Sequence, residues 1–398
     1  MTNTTITAPR GFKAGAAACG IKSENKLDLA VLACDTRAAC AACFTQNRVQ
    51  AAPIQLSRDH VKEGYAQALV VNSGNANACT GPRGLDDAAT MTQLVAGKLK
   101  ISPRSVLVAS TGVIGHPLDM AKVSNGVNHA YDNLGDTEDH GRAFAQAIMT
   151  TDLKPKSAYR EFTVDNQTIR IAGCAKGSGM IAPNMATMLA FITTDAKIAP
   201  HDLRANLVQA VSRSFNRITV DGEMSTNDMV AVFASGLASD HELGETWLSP
   251  FGEYLYELCN ELALAIVADG EGATKVFHVM VTAARNFTQA HKIARAVAQS
   301  LLVKTAIHGA DPNWGRIISA AGAAGADFNP EQASCAIGNI VIFNRGTGAD
   351  HDRDALADIM NKNDIWITLN LNHGEASDVV HSCDLSKQYV DINALYHT

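Results

Sequence analysis

Apolar and polar residues along this chain form segments that predict strands and helices in turn. Short runs of apolar and β-branched residues predict buried strands at residues 27–34, 67–71, 105–109, 162–164, 168–172, 188–194, 216–220, 229–234, 276–282, 339–343 and 365–371. Apolar residues at helical spacing predict helices at residues 86–100, 117–133, 143–149, 200–213, 249–267, 288–303 and 352–361. Because the two kinds of element alternate, we expect an α/β (α+β) protein, a layered sandwich in which helices cover the sheets.

The stretch from residue 176 to residue 195 joins two different patterns. Lys176–Pro183 is rich in glycine and turn-like, whereas Met188–Thr194 is apolar and β-branched. Between them, Ala186 precedes Thr187, and a small residue followed by a hydroxyl residue and a buried strand is typical of a chain that cleaves its own backbone. Cleavage would leave Thr187 with an α-amine of pKa about 8, which can act as the base for the threonine hydroxyl. The alternative is an ordinary strand threonine, which the local pattern alone favours.

Two further glycine-containing segments are candidates for chemistry. The strand that ends at Ala109 runs into Ser-Thr-Gly-Val-Ile-Gly at residues 110–115, and backbone N–H groups with a hydroxyl at such a point can form an oxyanion hole. A tight turn between strand and helix is the alternative that the local sequence favours. The segment Asp269–Lys275 resembles a phosphate-binding loop, but no glycine precedes Lys275 and no Ser or Thr follows it. We therefore do not predict nucleotide binding there.

The composition is that of an ordinary globular protein. The 398 residues are 46% hydrophobic and 18% charged, and the net charge is −7, which argues against a nucleic-acid or anionic-membrane surface. No apolar run reaches the roughly 18 residues that would span a bilayer. The first residues lack the basic region followed by an apolar core that is typical of a secretory signal. We therefore expect a cytoplasmic protein.

The cysteines and histidines do not predict a metal site. The nine cysteines are thinly spread, which favours free thiols in a reducing compartment. Cys40 and Cys43 have the CxxC spacing, but no second pair of ligands follows at zinc-site spacing, so we interpret this Ala-rich segment as buried packing. No HExxH motif is present, and His308 and Asp311 are interpreted as polar loop residues.

Seven motifs, in order along the chain, resemble those of the ornithine acetyltransferase family, whose members are also called glutamate N-acetyltransferases. The resemblance extends from Pro9 to the last residue. The motifs lie at residues 72–81, 110–115, 149–152, 176–195, 269–275, 308–316 and 393–398. Each motif is modest alone, but seven in order over the full length are specific, and they shift the interpretation of Ala186–Thr187 to self-cleavage.

The resemblance implies a self-processing protein. Its precursor would cleave into an α chain, residues 1–186, and a β chain, residues 187–398, that remain associated as an α2β2 heterotetramer. The implied fold is a layered α/β arrangement related to other self-processing hydrolases. The implied reaction moves acetyl from N2-acetyl-L-ornithine to L-glutamate in arginine biosynthesis, through acetyl-Thr187, with no metal and no bound cofactor. Some family members also use acetyl-CoA, and the sequence leaves open whether this one does.

The family's site residues can be matched to positions in this sequence. Thr187 would be the nucleophile, and the Thr111 hydroxyl with the Gly112 backbone N–H would form the oxyanion hole. The remaining matched positions are substrate-binding: Thr150, Thr151, Lys176, Glu271, Asn393 and Thr398. Lys176 and one of the two threonines would bind the α-carboxylate, with Thr151 preferred, whereas Glu271, Asn393 and Thr398 would bind the δ-ammonium of ornithine.

Three other interpretations remain open. A self-cleaving aminopeptidase or amidase would use Thr187 with water as the acceptor, and a related acyltransferase would act on another acylated amino acid. A small-molecule-binding protein with an uncut chain is the third. The Lys176 and Glu271 pair favours a free amino acid with two charged ends over the first of these.

Overall fold

The computed structural model describes residues 3–22, 25–182 and 188–395. The predicted cleavage pair, Ala186 and Thr187, and the predicted substrate residue Thr398 lie outside these ranges. The described chain divides into two compact units. The first unit comprises the chain up to Asn216 together with Glu223–Ile266, and the second comprises Arg217–Gly222 and the chain from Val267 onward.

Strands and helices alternate along the described chain, as predicted. The strands are β1 (Phe12–Ala17), β2 (Leu29–Phe44), β3 (Tyr65–Asn75), β4 (Val106–Val113), β5 (Lys156–Val164), β6 (Gln167–Lys176), β7 (Leu189–Thr194), β8 (Ile218–Thr219), β9 (Met229–Ala234), β10 (Val276–Ala284), β11 (Ser334–Ile337), β12 (Ile340–Asn344), β13 (Thr347–Gly348), β14 (Asp364–Asn370) and β15 (Ala376–Cys383). The helices are α1 (Ala52–His60), α2 (Gly81–Leu99), α3 (Met120–Asp132), α4 (Glu138–Ala147), α5 (Pro200–Arg213), α6 (Glu245–Ala268), α7 (Phe287–Gln299), α8 (Leu301–His308), α9 (Trp314–Gly322), α10 (Arg353–Met360) and α11 (Lys387–Leu395). Short 3-10 helices lie at Val61–Glu63, Pro103–Ser105 and Phe215–Arg217.

The first unit is built on an eight-stranded mixed sheet with the order β4-β3-β2-β9-β7-β6-β5, to which β1 adds by pairing with β2. Both faces of this sheet are buried. Leu69 and Val71 of β3 belong to a cluster with α4, whereas Val70 belongs to a second cluster with α2 and α3. A strand buried on both faces is apolar at consecutive positions rather than at alternate ones, which is why β3 and β4 read as continuous apolar runs.

Strand β2 is the long central strand of this sheet, and it contains the CxxC pair. Its 16 residues pair with β3 at one end and with β9 at the other. Cys40 and Cys43 are buried within it as free thiols. Burial raises the pKa of both, that of Cys43 to about 12. Both side chains are therefore buried in the packed interior of the sheet, as the sequence indicated.

The second unit has its own seven-stranded sheet, with the order β13-β12-β11-β14-β10-β15-β8. Alternate residues of β10, Phe277, Val279 and Val281, point into a core that includes Ile293 and Val297 of α7. Each unit therefore has a sheet covered by helices, and the predicted α/β fold class is confirmed.

Three local predictions in and near the second unit were wrong. Residues 288–303 form two helices instead of one, because Ser300 has φ −63° and ψ 116° and its side chain caps α8. Residues 307–316 were assigned to a loop, but α8 extends to His308 and α9 begins at Trp314, where the Asn313 side chain caps it. In the predicted strand 216–220 only Ile218 and Thr219 pair, and the polar tail contains α11.

The division into two compact units does not test the predicted α and β chains. Those chains are defined by where the backbone is cut, whereas the units are defined by how the chain packs. Within the described residues, no helix is both long enough and apolar enough to cross a membrane.

Candidate active site

The predicted oxyanion turn lies where two parallel strands of the first unit approach each other closely. Thr111 and Gly112 of β4 face Ser73 and Gly74 of β3, and the register shifts there. Gly112 has φ +131°, and a Cβ on it would lie 2.3 Å from the Gly74 carbonyl carbon. Only glycine satisfies both requirements. The sequence Thr-Gly is thus dictated by the backbone, and it leaves the half-buried Thr111 hydroxyl at the end of the strand.

Lys176 brings a buried cation to this turn. It ends β6, it is 7% exposed, and its Nζ donates a hydrogen bond to Thr111 Oγ1 at 3.4 Å. The predicted substrate residue Lys176 and the predicted oxyanion residue Thr111, 65 positions apart in sequence, are therefore in contact. An ammonium group and a hydroxyl side by side suit an anionic group such as a carboxylate.

Asp152 holds this cation in place. Its carboxylate accepts hydrogen bonds from the Gly177 backbone N–H and the Lys156 ammonium, both at 2.7 Å, and lies 4.0 Å from Lys176 Nζ. Burial would raise the pKa of Asp152, but Lys176 and Lys156 outweigh it and lower that pKa to about 2. The Thr150 backbone N–H also donates to Asp152, at 3.0 Å. Asp152 thus ties the predicted Thr150–Thr151 pair to the end of β6.

The strand that follows the predicted cleavage point begins beside Lys176. Leu189, the first residue of β7, is the register partner of Lys176 on β6 and of Met229 on β9. Met188, which follows Thr187 in the sequence, therefore leads directly into the middle of the sheet.

A buried acid lies at the same edge of the sheet. Asp228 precedes β9, is 2% exposed, and its carboxyl faces the Met188 N–H and the hydroxyls of Ser225 and Thr45. Among the described residues its Oδ2 has no hydrogen-bond partner. Burial raises the pKa of Asp228 well above its usual value, because it disfavours the charged form of this carboxyl.

A second lysine lies near Lys176. The Lys22 ammonium donates to the backbone carbonyls of Leu27 and Ala147 at 2.8 and 3.4 Å, and its stem would be 3.0 Å from a Cβ on Gly74. Burial lowers the pKa of Lys22 to about 8. The turn is thus in a cationic environment that favours negative charge.

In the second unit the structure brings together Glu271 and Asn393. Glu271, in the loop between α6 and β10, is 8% exposed, and its Oε2 accepts a hydrogen bond from Asn393 Nδ2 at 2.7 Å. Asn393 lies on α11, so it is not part of a frayed terminus. The neighbouring Lys275 donates to the carbonyls of Ile307 and Met360 at 3.2 and 2.8 Å, a structural role that agrees with the absence of a phosphate-loop motif.

The sequence reasoning did not assign roles to Asp152 or Asp228. Each is a carboxylate next to a strand or turn whose other residues are apolar or small. A charged residue at such a position is the signal in the sequence that could have identified them. Periodicity treats both as ordinary loop residues, because their partners come from distant segments.

Comparisons with known proteins agree with the motif resemblance. The family model described as the ArgJ family matches residues 13–398. A protein of Bacillus cereus named arginine biosynthesis bifunctional protein ArgJ is 45% identical over 403 residues, covering 100% of this chain and 97% of that protein. A protein of Dehalococcoides mccartyi with the same name is 45% identical over 397 residues, covering 99% and 97%. The crystal structure of a protein of that name from Bacillus halodurans is 42% identical over 47% of this chain and 96% of its own, with a TM-score of 0.45.

The match of the family model and the identity to the two bacterial relatives both extend over nearly the whole chain, with no large segment left unmatched. This chain therefore belongs to the ArgJ family, and it is an enzyme of that family.

Proposed function

We propose that this protein cleaves itself between Ala186 and Thr187 and then moves acetyl from N2-acetyl-L-ornithine to L-glutamate through acetyl-Thr187. The observation that carries this proposal is the contact of Lys176 with Thr111 at 3.4 Å, beside the start of the strand that Thr187 precedes. Membership of the ArgJ family, and the name that its members bear, support arginine biosynthesis as the setting.

Self-cleavage requires a hydroxyl, a carbonyl and a donor for the developing oxyanion. The Thr187 Oγ attacks the Ala186 carbonyl carbon, and the C–N bond breaks as the hydroxyl proton passes to the departing nitrogen. Water then hydrolyses the resulting ester and leaves Thr187 with a free α-amine. The Thr111 hydroxyl and the Gly112 N–H are the proposed oxyanion donors, each contributing about 10²–10³ in rate.

Acetyl transfer repeats this chemistry on the substrate. The Thr187 amine takes the hydroxyl proton as Oγ attacks the acetyl carbon, and that proton passes to the leaving amine of ornithine. The α-amine of glutamate then attacks acetyl-Thr187, N-acetylglutamate leaves, and Oγ regains a proton. Such a covalent acyl enzyme gives ping-pong kinetics, and the chemistry involves no metal and no bound cofactor.

The two substrates share an α-carboxylate, and we assign it to Lys176 together with the Thr150–Thr151 pair. The buried position of Lys176 supports this assignment, since a partly desolvated ammonium attracts an anion more strongly than a solvated one. We assign the δ-ammonium of ornithine to Glu271 and Asn393, with Thr398 as a third contact. We further propose that the cleaved chains assemble as an α2β2 heterotetramer in the cytoplasm.

Mass spectrometry and a donor assay test the proposal. The purified protein should give two fragments, one beginning at Thr187, instead of one species of 42.1 kDa. Thr187→Ala should abolish both cleavage and transfer, and Thr187→Ser should retain part of each. An intact wild-type chain that still transfers acetyl would contradict the mechanism.

The donor assay separates the alternatives. Glutamate is supplied with either N-acetylornithine or acetyl-CoA, and N-acetylglutamate is measured in each case. Activity with both donors would show a bifunctional enzyme, and activity with the first alone a monofunctional one. Release of free acetate without transfer would instead indicate an amidase.

A further inference from the structure

Asp384 is a buried carboxylate in the second unit that joins the loop carrying Glu271 to the rest of its unit. Its side chain is fully buried. It accepts hydrogen bonds from the Thr274 N–H at 2.7 Å, the Thr274 hydroxyl at 2.6 Å and the Lys275 N–H at 2.8 Å. Three donors from two consecutive residues on one carboxylate fix the course of the loop just after Glu271.

The segment that begins with Asp384 also contacts the residue next to Glu271, Gly272. Ser386 Oγ donates to the Gly272 carbonyl at 2.6 Å. A Cβ on Gly272 would lie 2.7 Å from the Tyr389 backbone nitrogen at the start of α11. Gly272, Thr274 and Lys275, which all follow Glu271, are thus attached to the segment that leads into α11, which carries Asn393.

His308 completes the cluster. Its Nδ1 lies 2.6 Å from Asp384 Oδ2, and because the carboxylate can only accept, this nitrogen carries the proton. Burial would raise the pKa of Asp384, but its hydrogen bonds with Thr274, Lys275 and His308 lower that pKa below its usual value. The carboxylate is therefore ionised at neutral pH and anchored from two elements.

We propose that Asp384 is a positioning residue that fixes Glu271 against Asn393, and thereby sets the preference for a donor side chain that ends in an ammonium group. This inference rests on the proposed function. The contact between Glu271 and Asn393 at 2.7 Å depends on two segments more than a hundred residues apart. Asp384 is the charged group that connects them, although it touches neither Glu271 nor Asn393.

The test compares two acetyl donors of matched shape. N2-acetyl-L-ornithine carries the terminal ammonium, and N2-acetyl-L-norleucine has a methyl group in its place. The readout is the ratio of kcat/KM for the two donors at fixed glutamate, since kcat/KM for the donor reports only the first half-reaction of a ping-pong enzyme. In Asp384→Asn the amide oxygen can still accept from the Thr274 and Lys275 N–H groups, but the negative charge is lost and the NH2 group faces the Thr274 hydroxyl and His308 Nδ1, which donated to the second oxygen, so the anchor of the loop is weakened.

We expect this ratio to fall about tenfold or more in Asp384→Asn, as for the loss of hydrogen bonds to a charged group. The value for the norleucine donor should stay within about twofold of wild type. Thr274→Val, which removes one hydroxyl contact, should lower the ratio in the same direction, and Thr274→Ser should restore it. The control is Asp364→Asn, which also removes a carboxylate facing a histidine, 3.2 Å from His278 Nε2, but from an exposed position on β14.

The outcomes distinguish this inference from the proposed function. If folded Asp384→Asn has the same ratio of kcat/KM for the two donors as the wild type, the inference is overturned while the proposed function stands. Equal loss of activity toward both donors has the same meaning. If Asp384→Asn does not fold, the Thr274→Val and Thr274→Ser pair decides in the same way. Wild-type protein that transfers no acetyl from N-acetylornithine overturns the proposed function and this inference with it.

Discussion

The carboxylate of Asp152 is a buried charge beside the proposed catalytic turn. Replacing Asp152 with Asn gives a quantitative test of the electrostatics of this site. Asn keeps the shape and one oxygen acceptor but removes the negative charge. The Lys156 and Lys176 side chains, only 1% and 9% exposed, would then lose their buried carboxylate partner. Removal of one partner of a buried ion pair costs roughly 3–5 kcal/mol.

The pKa of Asp152 supports a cost of this order. Its depression from 3.8 to about 2 corresponds to roughly 2–3 kcal/mol of folding free energy at neutral pH. Because the pKa is lowered in the folded state, this stabilisation is present above the unfolded pKa and is lost as the pH falls toward about 2. Asp152→Asn should therefore be markedly less stable at neutral pH, and the difference should shrink in acid.

Urea titration followed by circular dichroism measures the free energy of unfolding. The matched control is Asp35→Asn, because Asp35 pairs with Lys13 at 2.8 Å but both side chains are about half exposed, so we expect a change below about 1 kcal/mol. The double variant Asp152→Asn with Lys156→Met should recover part of the loss, since it removes a buried ammonium group that no longer faces the Asp152 carboxylate. If Asp152→Asn is as mild as Asp35→Asn, the electrostatic account of this site is wrong.

Three further predictions concern other parts of the chain. Gly112→Ala should reduce cleavage and transfer by about 10²-fold or more, because the new Cβ would clash with strand β3. The control is Gly115→Ala, which is also at positive φ but has no atom within 4 Å of its Cβ, so it should retain most activity. Equal effects of the two substitutions would refute the argument from close approach of the strands. Asp228→Asn should change the free energy of unfolding by less than about 1 kcal/mol, because burial raises the pKa of Asp228 and favours the uncharged acid, which Asn resembles. A urea titration that shows a loss as large as that of Asp152→Asn would contradict this. Burial lowers the pKa of His381 to about 4, so folding favours the neutral ring. The free energy of unfolding should therefore decrease as the pH falls from about 6.5 to about 4. Urea titrations across that range should show a smaller decrease for His381→Asn than for the wild type.

The sequence alone determined the alternation of strands and helices and the segments that carry chemistry. Periodicity is a local property, so it predicted β7, β9, β10 and α5 well. It did not predict that Thr111 and Gly112 belong to strand β4 rather than to a turn. It also missed the break at Ser300 and the short helices around residues 307–316, because those depend on caps and packing rather than on apolar spacing. The order of motifs along the chain was enough to indicate the family.

Only the tertiary structure decided which charged groups work together. Lys176 meets Thr111 and Asp152, and Asp384 meets Thr274 and His308, across separations that no local pattern records. The physical reason is that a buried charge is stable only beside partners of opposite charge or hydrogen-bond donors, and folding supplies these from distant strands. The chain thus specifies its elements locally, whereas the protonation states and contacts of the proposed site arise from how those elements pack.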